Sequence, residues 1–68
     1  MSVARVTEII ASSKESFEDA VKKGVRRAAS TLKNVRGAWV EGEKVICDSN
    51  GNITEYRAIL KVTFVLEE

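Results

Sequence analysis

The sequence contains no histidine, no proline and a single cysteine. Without histidine the chain cannot form a catalytic triad with an imidazole base, or a zinc site from cysteine and histidine ligands. One cysteine also cannot form a disulfide within the chain. Cys47 lies in an apolar strand pattern, so we expect a small, partly buried apolar side chain there rather than a nucleophile.

The short length limits what one subunit can bury. A chain of 68 residues removes only about 60% of its unfolded surface from water, so a monomer would be marginally stable. The hydrophobic content of 44% is nevertheless typical of a packed fold. Because a disulfide and a cysteine–histidine zinc site are both excluded, we expect self-association to supply the missing stability.

The sequence also lacks a charge excess and a long apolar run. Eleven Lys and Arg residues against ten Asp and Glu residues leave a net charge of +1, which does not favour nucleic acid or an anionic membrane as a partner. The apolar runs are a few residues long, too short to span a bilayer, and the N-terminus does not lead into a secretory apolar segment. We therefore expect a cytoplasmic protein with no nucleic-acid or membrane partner.

The first half of the chain predicts a strand followed by a helix. Apolar and polar residues alternate over residues 3–11, as in a strand. The segment from Ser12 to Glu15 has the spacing of a capping box, so we expect the helix to begin there. Small and apolar residues then recur at steps of three and four and define the face that packs on a sheet. They are Phe17, Ala20, Val21, Gly24, Val25, Ala28, Ala29 and Leu32.

The other face of this helix is charged. Lys22, Lys23, Arg26 and Arg27 form the one basic cluster of the chain. Glu18 and Asp19 precede the two lysines by four residues, the spacing of favourable helical ion pairs. These acidic partners indicate a solvated helix surface rather than a nucleic-acid site.

The second half predicts two strands joined by a hairpin. The period changes to two after Asn34, which predicts a second strand from about Val35 to Cys47 with Val35, Gly37, Trp39 and Glu41 on one face. Asn50-Gly51 favours a tight two-residue turn, because both residues accept positive φ. A third strand follows over residues 53–67. Its predicted core face is Tyr56, Ala58, Leu60, Val62, Phe64 and Leu66.

These elements predict an α+β fold in which a three-stranded antiparallel sheet wraps one helix, within a single domain of residues 1–68. The helix covers one face of the sheet. Trp39, Ile59 and Val65 then lie on the other face, where a monomer would expose them. Burial against further copies of the chain is the simplest way to cover them.

The order of elements resembles the dodecin family of small β-α-β-β proteins. Four segments carry the resemblance, and together with the chain length they cover nearly the whole sequence. They are VTEIIASS at 6–13, SFEDAV at 16–21, RA at 27–28 and YRAILKVTFVLE at 56–67. The resemblance implies a hollow homododecamer that binds or stores flavins such as riboflavin, FMN or FAD between subunits without catalytic turnover.

The resemblance also implies a flavin site from which this sequence departs. In flavin-binding members a tryptophan on the second strand stacks on the ring, and a glutamine on the third strand bonds its polar edge. These positions fall on Gly37 and Arg57, and the only tryptophan is Trp39, two residues further along. Gly37, Trp39 and Arg57 are therefore the candidate ligand-binding residues, and flavin is the first ligand that we consider.

Other interpretations of these residues stay open. Trp39 is equally suited to anchoring a subunit interface. Arg57 is suited to an anionic cofactor such as coenzyme A, but pairing with Glu41 or Glu43 is the stronger expectation. The arginine and the segment 48–57 are similar to a family branch that lacks flavin and binds calcium.

The acidic residues do not identify a metal site by themselves. The segment that begins at Asp48 fails as an EF-hand loop, because its glycine stands fourth and Ile59 holds the twelfth place. Glu8 is either a site carboxylate or the partner of a strand lysine or arginine. No general base or activated nucleophile is visible, so we expect a protein without enzymatic activity.

Overall fold

The computed structural model describes residues 3–66 and contains four elements. They are β1 (Ala4–Ser13), α1 (Phe17–Thr31), β2 (Val35–Cys47) and β3 (Ile53–Val65). The sheet order is β1-β3-β2, and both outer strands run antiparallel to β3. This arrangement confirms the predicted α+β fold, with the third strand at the centre of the sheet. Among the described residues, no helix is long and apolar enough to cross a membrane.

The core lies between α1 and the central strand. Ala58, Leu60 and Val62 of β3 are fully buried, and they meet a helix stripe in which Ala20 and Ala28 are buried at 0% and 6% exposure. The even residues of β3 therefore face the helix, as their alternation predicted. Two residues expected in the apolar set are exposed instead: Ala29 lies outside the buried stripe of α1, and Leu66 follows the end of β3.

The helix begins later than the sequence suggested. The N-cap is Ser16, whose hydroxyl accepts the Asp19 N–H at 3.0 Å. The predicted capping box at Ser12 is wrong, because Ser12 and Ser13 still pair with β3 as the last residues of β1. The pattern of a serine followed three residues later by an acid occurs twice, and strand pairing leaves only the second copy free to cap.

Ser13 connects the end of β1 to the start of α1. It is only 4% exposed, and its hydroxyl donates to the Asp19 carboxylate at 2.6 Å and accepts the Glu15 N–H at 2.9 Å. The Ser13 hydroxyl and then the Lys23 ammonium lower the pKa of Asp19 below its ordinary value. Lys23 contacts Asp19 at 2.9 Å, which confirms one of the two predicted helical ion pairs.

The second predicted pair is also present. Lys22 Nζ lies 3.1 Å from Glu18 Oε1, and both side chains are well exposed. Pairs of this kind stabilise a helix by only a few tenths of a kcal/mol. The basic cluster of α1 is thus partly neutralised by its own helix.

The hairpin turn differs from the predicted two-residue turn. The Gly51 N–H donates to the Asp48 carbonyl at 3.1 Å, and the Asp48 N–H donates to the Asn52 carbonyl at 3.0 Å. Within the turn only Gly51 has a positive φ, of 81°. The loop is therefore longer by one residue and needs the conformational freedom of glycine at a single position.

Irregular pairing changes which residues of β2 share a face. The register shifts between Val35 and Gly37 and again between Val40 and Gly42. Val35 consequently packs against the core, whereas Gly37 and Trp39 point away from the helix. The prediction that Val35 shares their face is wrong, because a bulge reverses the alternation of a strand.

The closest approach of α1 to the sheet occurs at Gly24. A Cβ at this position would lie 2.7 Å from Leu60 Cδ1 and 2.8 Å from Ala11 Cβ. The Leu60 methyl can rotate away, but the Ala11 methyl is fixed to the backbone of β1. A side chain at Gly24 must therefore push the helix from the sheet.

We expect Gly24→Ala to lower the free energy of unfolding by about 1–2 kcal/mol, because overpacking outweighs the gain in helix propensity. Ala29→Ser, on the exposed side of the same helix, is the control, and its effect should stay within about 0.5 kcal/mol. Denaturant unfolding at one fixed protein concentration measures both variants. Equal stability of the two variants would show that the core absorbs the extra methyl group.

Candidate functional site

The sheet face away from α1, which we call the outward surface, carries all three candidate residues. Residues directly opposite one another in an antiparallel pair share a face, so the register defines its members. They are Ala4, Val6, Glu8, Ile10 and Ser12 of β1, Gly37, Trp39, Gly42, Lys44 and Ile46 of β2, and Glu55, Arg57, Ile59, Lys61, Thr63 and Val65 of β3. This face alternates apolar and charged side chains and has no helix over it.

Apolar side chains on the outward surface are unusually exposed. Ile10 is 67% exposed, Trp39 62% and Val6 45%. Large apolar residues grouped on one face of a small protein mark a surface that another molecule covers. The sequence expectation that Trp39 lies on this face agrees with the register.

Trp39 stands beside open space. It pairs with Lys61 of β3, and Gly37, two residues away on the same face, pairs with Thr63. No atom lies within 4 Å of a Cβ built at Gly37. The position next to the indole along the strand is therefore not occupied by a side chain.

Arg57 is held by a carboxylate of its own strand. Its Nε and Nη2 lie 3.4 Å from Oε1 and Oε2 of Glu55, a two-point contact. The expectation that Glu41 or Glu43 pairs with Arg57 is wrong within the subunit. Arg57 lies opposite Lys44, so Glu43 falls on the other face of β2. The alternation of β3, which places Glu55 and Arg57 on one face, was the available signal for this pair.

Glu41 contacts a different cation. Its Oε1 lies 3.6 Å from Lys61 Nζ, beside the Trp39 position. Glu8 also lies opposite Lys61, but no lysine or arginine among residues 3–66 comes within 4 Å of its carboxylate. Within residues 3–66, Glu55 and Glu41 thus each contact a cation on or beside the outward surface, and Glu8 does not.

The environment of Glu55 favours its charged form. The Ser12 hydroxyl and then the Arg57 guanidinium lower the pKa of Glu55 below its ordinary value, and Lys14 adds to the effect. Hydrogen bonds and positive charges both stabilise a carboxylate relative to the acid. Glu55 therefore stays charged to a lower pH than an ordinary glutamate does.

The structure does not bring Arg57 next to Trp39 within one subunit. Four residues of β3 separate Arg57 from Lys61, the partner of Trp39, which corresponds to about 13 Å along the strand. None of the three candidate residues lines the cleft of about 560 Å³ between β1 and α1. They lie on the open face of the sheet instead.

Residues outside the candidate set add little to a reactive site. Cys47 is exposed, contrary to the expected partial burial, because it lies at the end of the edge strand β2. Within residues 3–66, no three His, Cys, Asp or Glu side chains are gathered as metal ligands. The turn at Asp48 uses its carboxylate oxygens to accept N–H groups of Asn50 and Asn52.

The fold and the outward surface define a class of protein: a small β-α-β-β subunit whose uncovered sheet face is both apolar and charged. A family model described as Dodecin matches residues 3–67. The chain belongs to the dodecin family, as the sequence resemblance indicated.

Known relatives agree with this assignment over nearly the full chain. Calcium dodecin of Mycobacterium tuberculosis is 41% identical over 64 residues, covering 94% of this chain and 89% of that protein. A dodecin from Streptomyces davaonensis superposes with a TM-score of 0.91 at 31% identity, covering 98% and 97% of the two chains. The crystal structure of the M. tuberculosis calcium dodecin, described as having a novel calcium-binding site, superposes with a TM-score of 0.82 at 35% identity, covering 96% and 91%.

We expect Arg57→Gln to raise the pKa of Glu55 towards its ordinary value, because the variant removes a hydrogen-bonded positive charge. The pKa of Glu55 is lower in the folded protein than its ordinary value of 4.5. Such a carboxyl group stabilises the folded state above about pH 4.5, and this stabilisation is lost as the pH falls through the pKa of the folded protein. The melting temperature of the variant should therefore fall below that of the wild type near pH 7, and the difference should shrink below about pH 4.

The measurement is a carbon NMR titration of the Glu55 carboxyl group, with thermal unfolding from pH 3 to 7. Lys44→Gln is the matched control, since it removes one positive charge from the residue opposite Arg57, and Lys44 is not among the groups that lower the pKa of Glu55. An unchanged Glu55 titration in Arg57→Gln would contradict the ion pair.

Proposed function

We propose that this protein is a non-enzymatic ligand-binding protein that assembles as a homododecamer, with its ligand sites between subunits. The exposed outward surface carries this proposal: its apolar side chains need cover, and its candidate residues form no cleft within one subunit. A second copy of the chain covers these side chains without any additional protein, because symmetry repeats the same contact between identical subunits. Membership of the dodecin family supports the same arrangement.

The ligand that we propose first is calcium. The 41% identical relative is named a calcium dodecin, and carboxylate oxygens are the ligands that calcium prefers. Glu8, Glu41 and Glu55 place three carboxylates on or beside the outward surface. Since the described residues of one subunit do not gather three acidic ligands, we place the site at a contact between subunits.

Flavin is the second candidate, and one observation favours it. Trp39 is 62% exposed and has open space beside it at Gly37, so a planar ring can stack there. Arg57, however, only donates hydrogen bonds and leaves the N–H of a flavin edge without an acceptor. An anionic cofactor such as coenzyme A ranks below both, because it must displace Glu55 from Arg57.

We expect the wild type to form a dodecamer at micromolar concentration and Ile10→Glu to shift it towards smaller species. Ile10 is the most exposed apolar residue of the outward surface, and burying an unpaired carboxylate there opposes assembly. Native mass spectrometry gives the subunit number. Ala29→Glu, on the exposed side of α1, is the control and should assemble normally. A stable wild-type monomer would refute the oligomer.

We expect calorimetric titration to detect calcium binding, and Glu8→Gln to weaken it about 10-fold, because the variant removes one charged ligand. Glu18→Gln, on the solvated face of α1, should leave the affinity unchanged. Riboflavin is titrated in parallel, with the fluorescence of the single tryptophan as the signal.

The parallel titrations distinguish the two ligands. Absence of a calcium signal together with quenching of Trp39 by riboflavin would replace calcium with flavin as the ligand. If only the double variant Gly37→Trp/Arg57→Gln binds riboflavin, these two positions explain why the wild type does not. If an intact dodecamer binds neither calcium nor riboflavin, both ligand proposals are refuted, whereas the proposed assembly is not.

A further inference from the structure

The tip of the β2–β3 hairpin contains a chemical feature that the outward surface does not use. Asn50 is followed directly by Gly51, and both residues are exposed. No atom lies within 4 Å of a Cβ built at Gly51. Gly51 thus has no side chain of its own beside its main-chain nitrogen, and no residue beyond its chain neighbours crowds the place where a side chain would stand.

We propose that Asn50 is a site of spontaneous deamidation and that Asp48, by holding the turn closed, sets the rate of this modification. The inference rests on the hairpin tip alone and does not depend on which ligand the assembly binds.

The reaction needs water as its only co-reactant. The Gly51 nitrogen, after losing its proton to hydroxide, attacks Cγ of Asn50 and forms a five-membered succinimide. The bond from Cγ to the side-chain nitrogen breaks, and ammonia leaves with a proton from solvent. Water then adds to one of the two ring carbonyls, its hydroxyl going to carbon and its proton to nitrogen, which opens the ring to aspartate or isoaspartate.

The other two asparagines of the sequence, Asn34 and Asn52, are matched internal controls. They precede Val35 and Ile53, whose β-branched side chains crowd the attacking nitrogen. Asn34 is further restrained, because its side-chain amide donates to the Val65 carbonyl at 3.3 Å. Only Asn50 combines an exposed side chain with glycine as the following residue.

Asp48 restrains the nitrogen that must attack. The Gly51 N–H donates to the Asp48 carbonyl at 3.1 Å, and this bond must open before the nitrogen reaches Cγ of Asn50. The Asp48 carboxylate accepts the N–H groups of Asn50 at 2.9 Å and Asn52 at 3.0 Å, which keeps the turn in this conformation. The same bonds lower the pKa of Asp48, as expected for a carboxylate that the turn holds in its charged form.

The modification changes both the charge and the backbone of the tip. Conversion of Asn50 to an acid changes the formal net charge of the chain from +1 to zero. It also places a second carboxylate two residues from Asp48. The isoaspartate product inserts one extra carbon into the main chain between residues 50 and 51, which is incompatible with the present turn bonds.

The test incubates the intact wild-type protein at pH 8 and 37 °C and follows each asparagine by peptide mapping, which detects a mass gain of about 1 Da. We expect conversion at Asn50 and none at Asn34 or Asn52 over the same time. Asp48→Ala removes the carboxylate that accepts the N–H groups of Asn50 and Asn52. The turn then opens with about one net hydrogen bond fewer to break, so conversion should accelerate on the order of 5-fold or more. Asp48→Ser should be intermediate, because a serine hydroxyl supports the same turn more weakly.

Two results would overturn the proposal. Conversion at Asn50 that is no faster than at Asn52 would show that Asn50 is not a preferred deamidation site. Conversion that is equal or slower in Asp48→Ala, with far-UV circular dichroism showing an intact fold, would remove the role of Asp48. Ion-exchange chromatography provides an independent measurement, because each conversion adds one negative charge.

Discussion

A single helix covers only one face of the three-stranded sheet, and the opposite face holds the apolar side chains of Val6, Ile10 and Trp39 open to solvent. The chain is too short to supply a second covering layer. The helix itself sits close to β1 and β3 because Gly24 lacks a side chain. In a small α+β subunit of this kind, an exposed apolar sheet face is the surface suited to self-association and to binding.

Charges on that face are organised by the strands. Glu55 and Arg57 alternate onto one side of β3 and bind one another at two points, and Glu41 of β2 reaches across to Lys61 of β3. Each pair is partly exposed, so each contributes little to the stability of the subunit. The Ser12 hydroxyl and then Arg57 lower the pKa of Glu55, so this carboxylate stays charged to a lower pH than an ordinary glutamate.

The departures from the flavin-binding pattern of the family act together. Gly37 opens space where a stacking ring would stand, and Arg57 replaces an amide that both donates and accepts with a group that only donates. Trp39 keeps an aromatic ring on the correct face but moves it by two residues, roughly 6.5 Å along the strand. The chain keeps the fold of the dodecin family and is 41% identical over 64 residues to a calcium dodecin.

The sequence by itself determined the element order, the core face of β3 and the outward position of Trp39, because alternation and helical spacing are local properties that a short chain displays directly. It did not determine which of two serine–acid patterns caps the helix, or that Val35 turns inwards. Those outcomes depend on how far β1 pairs with β3 and on bulges in β2, and only the tertiary structure decides strand register. The distance of about 13 Å that separates Arg57 from the Trp39 position in one copy likewise follows from strand pairing and not from the sequence pattern alone.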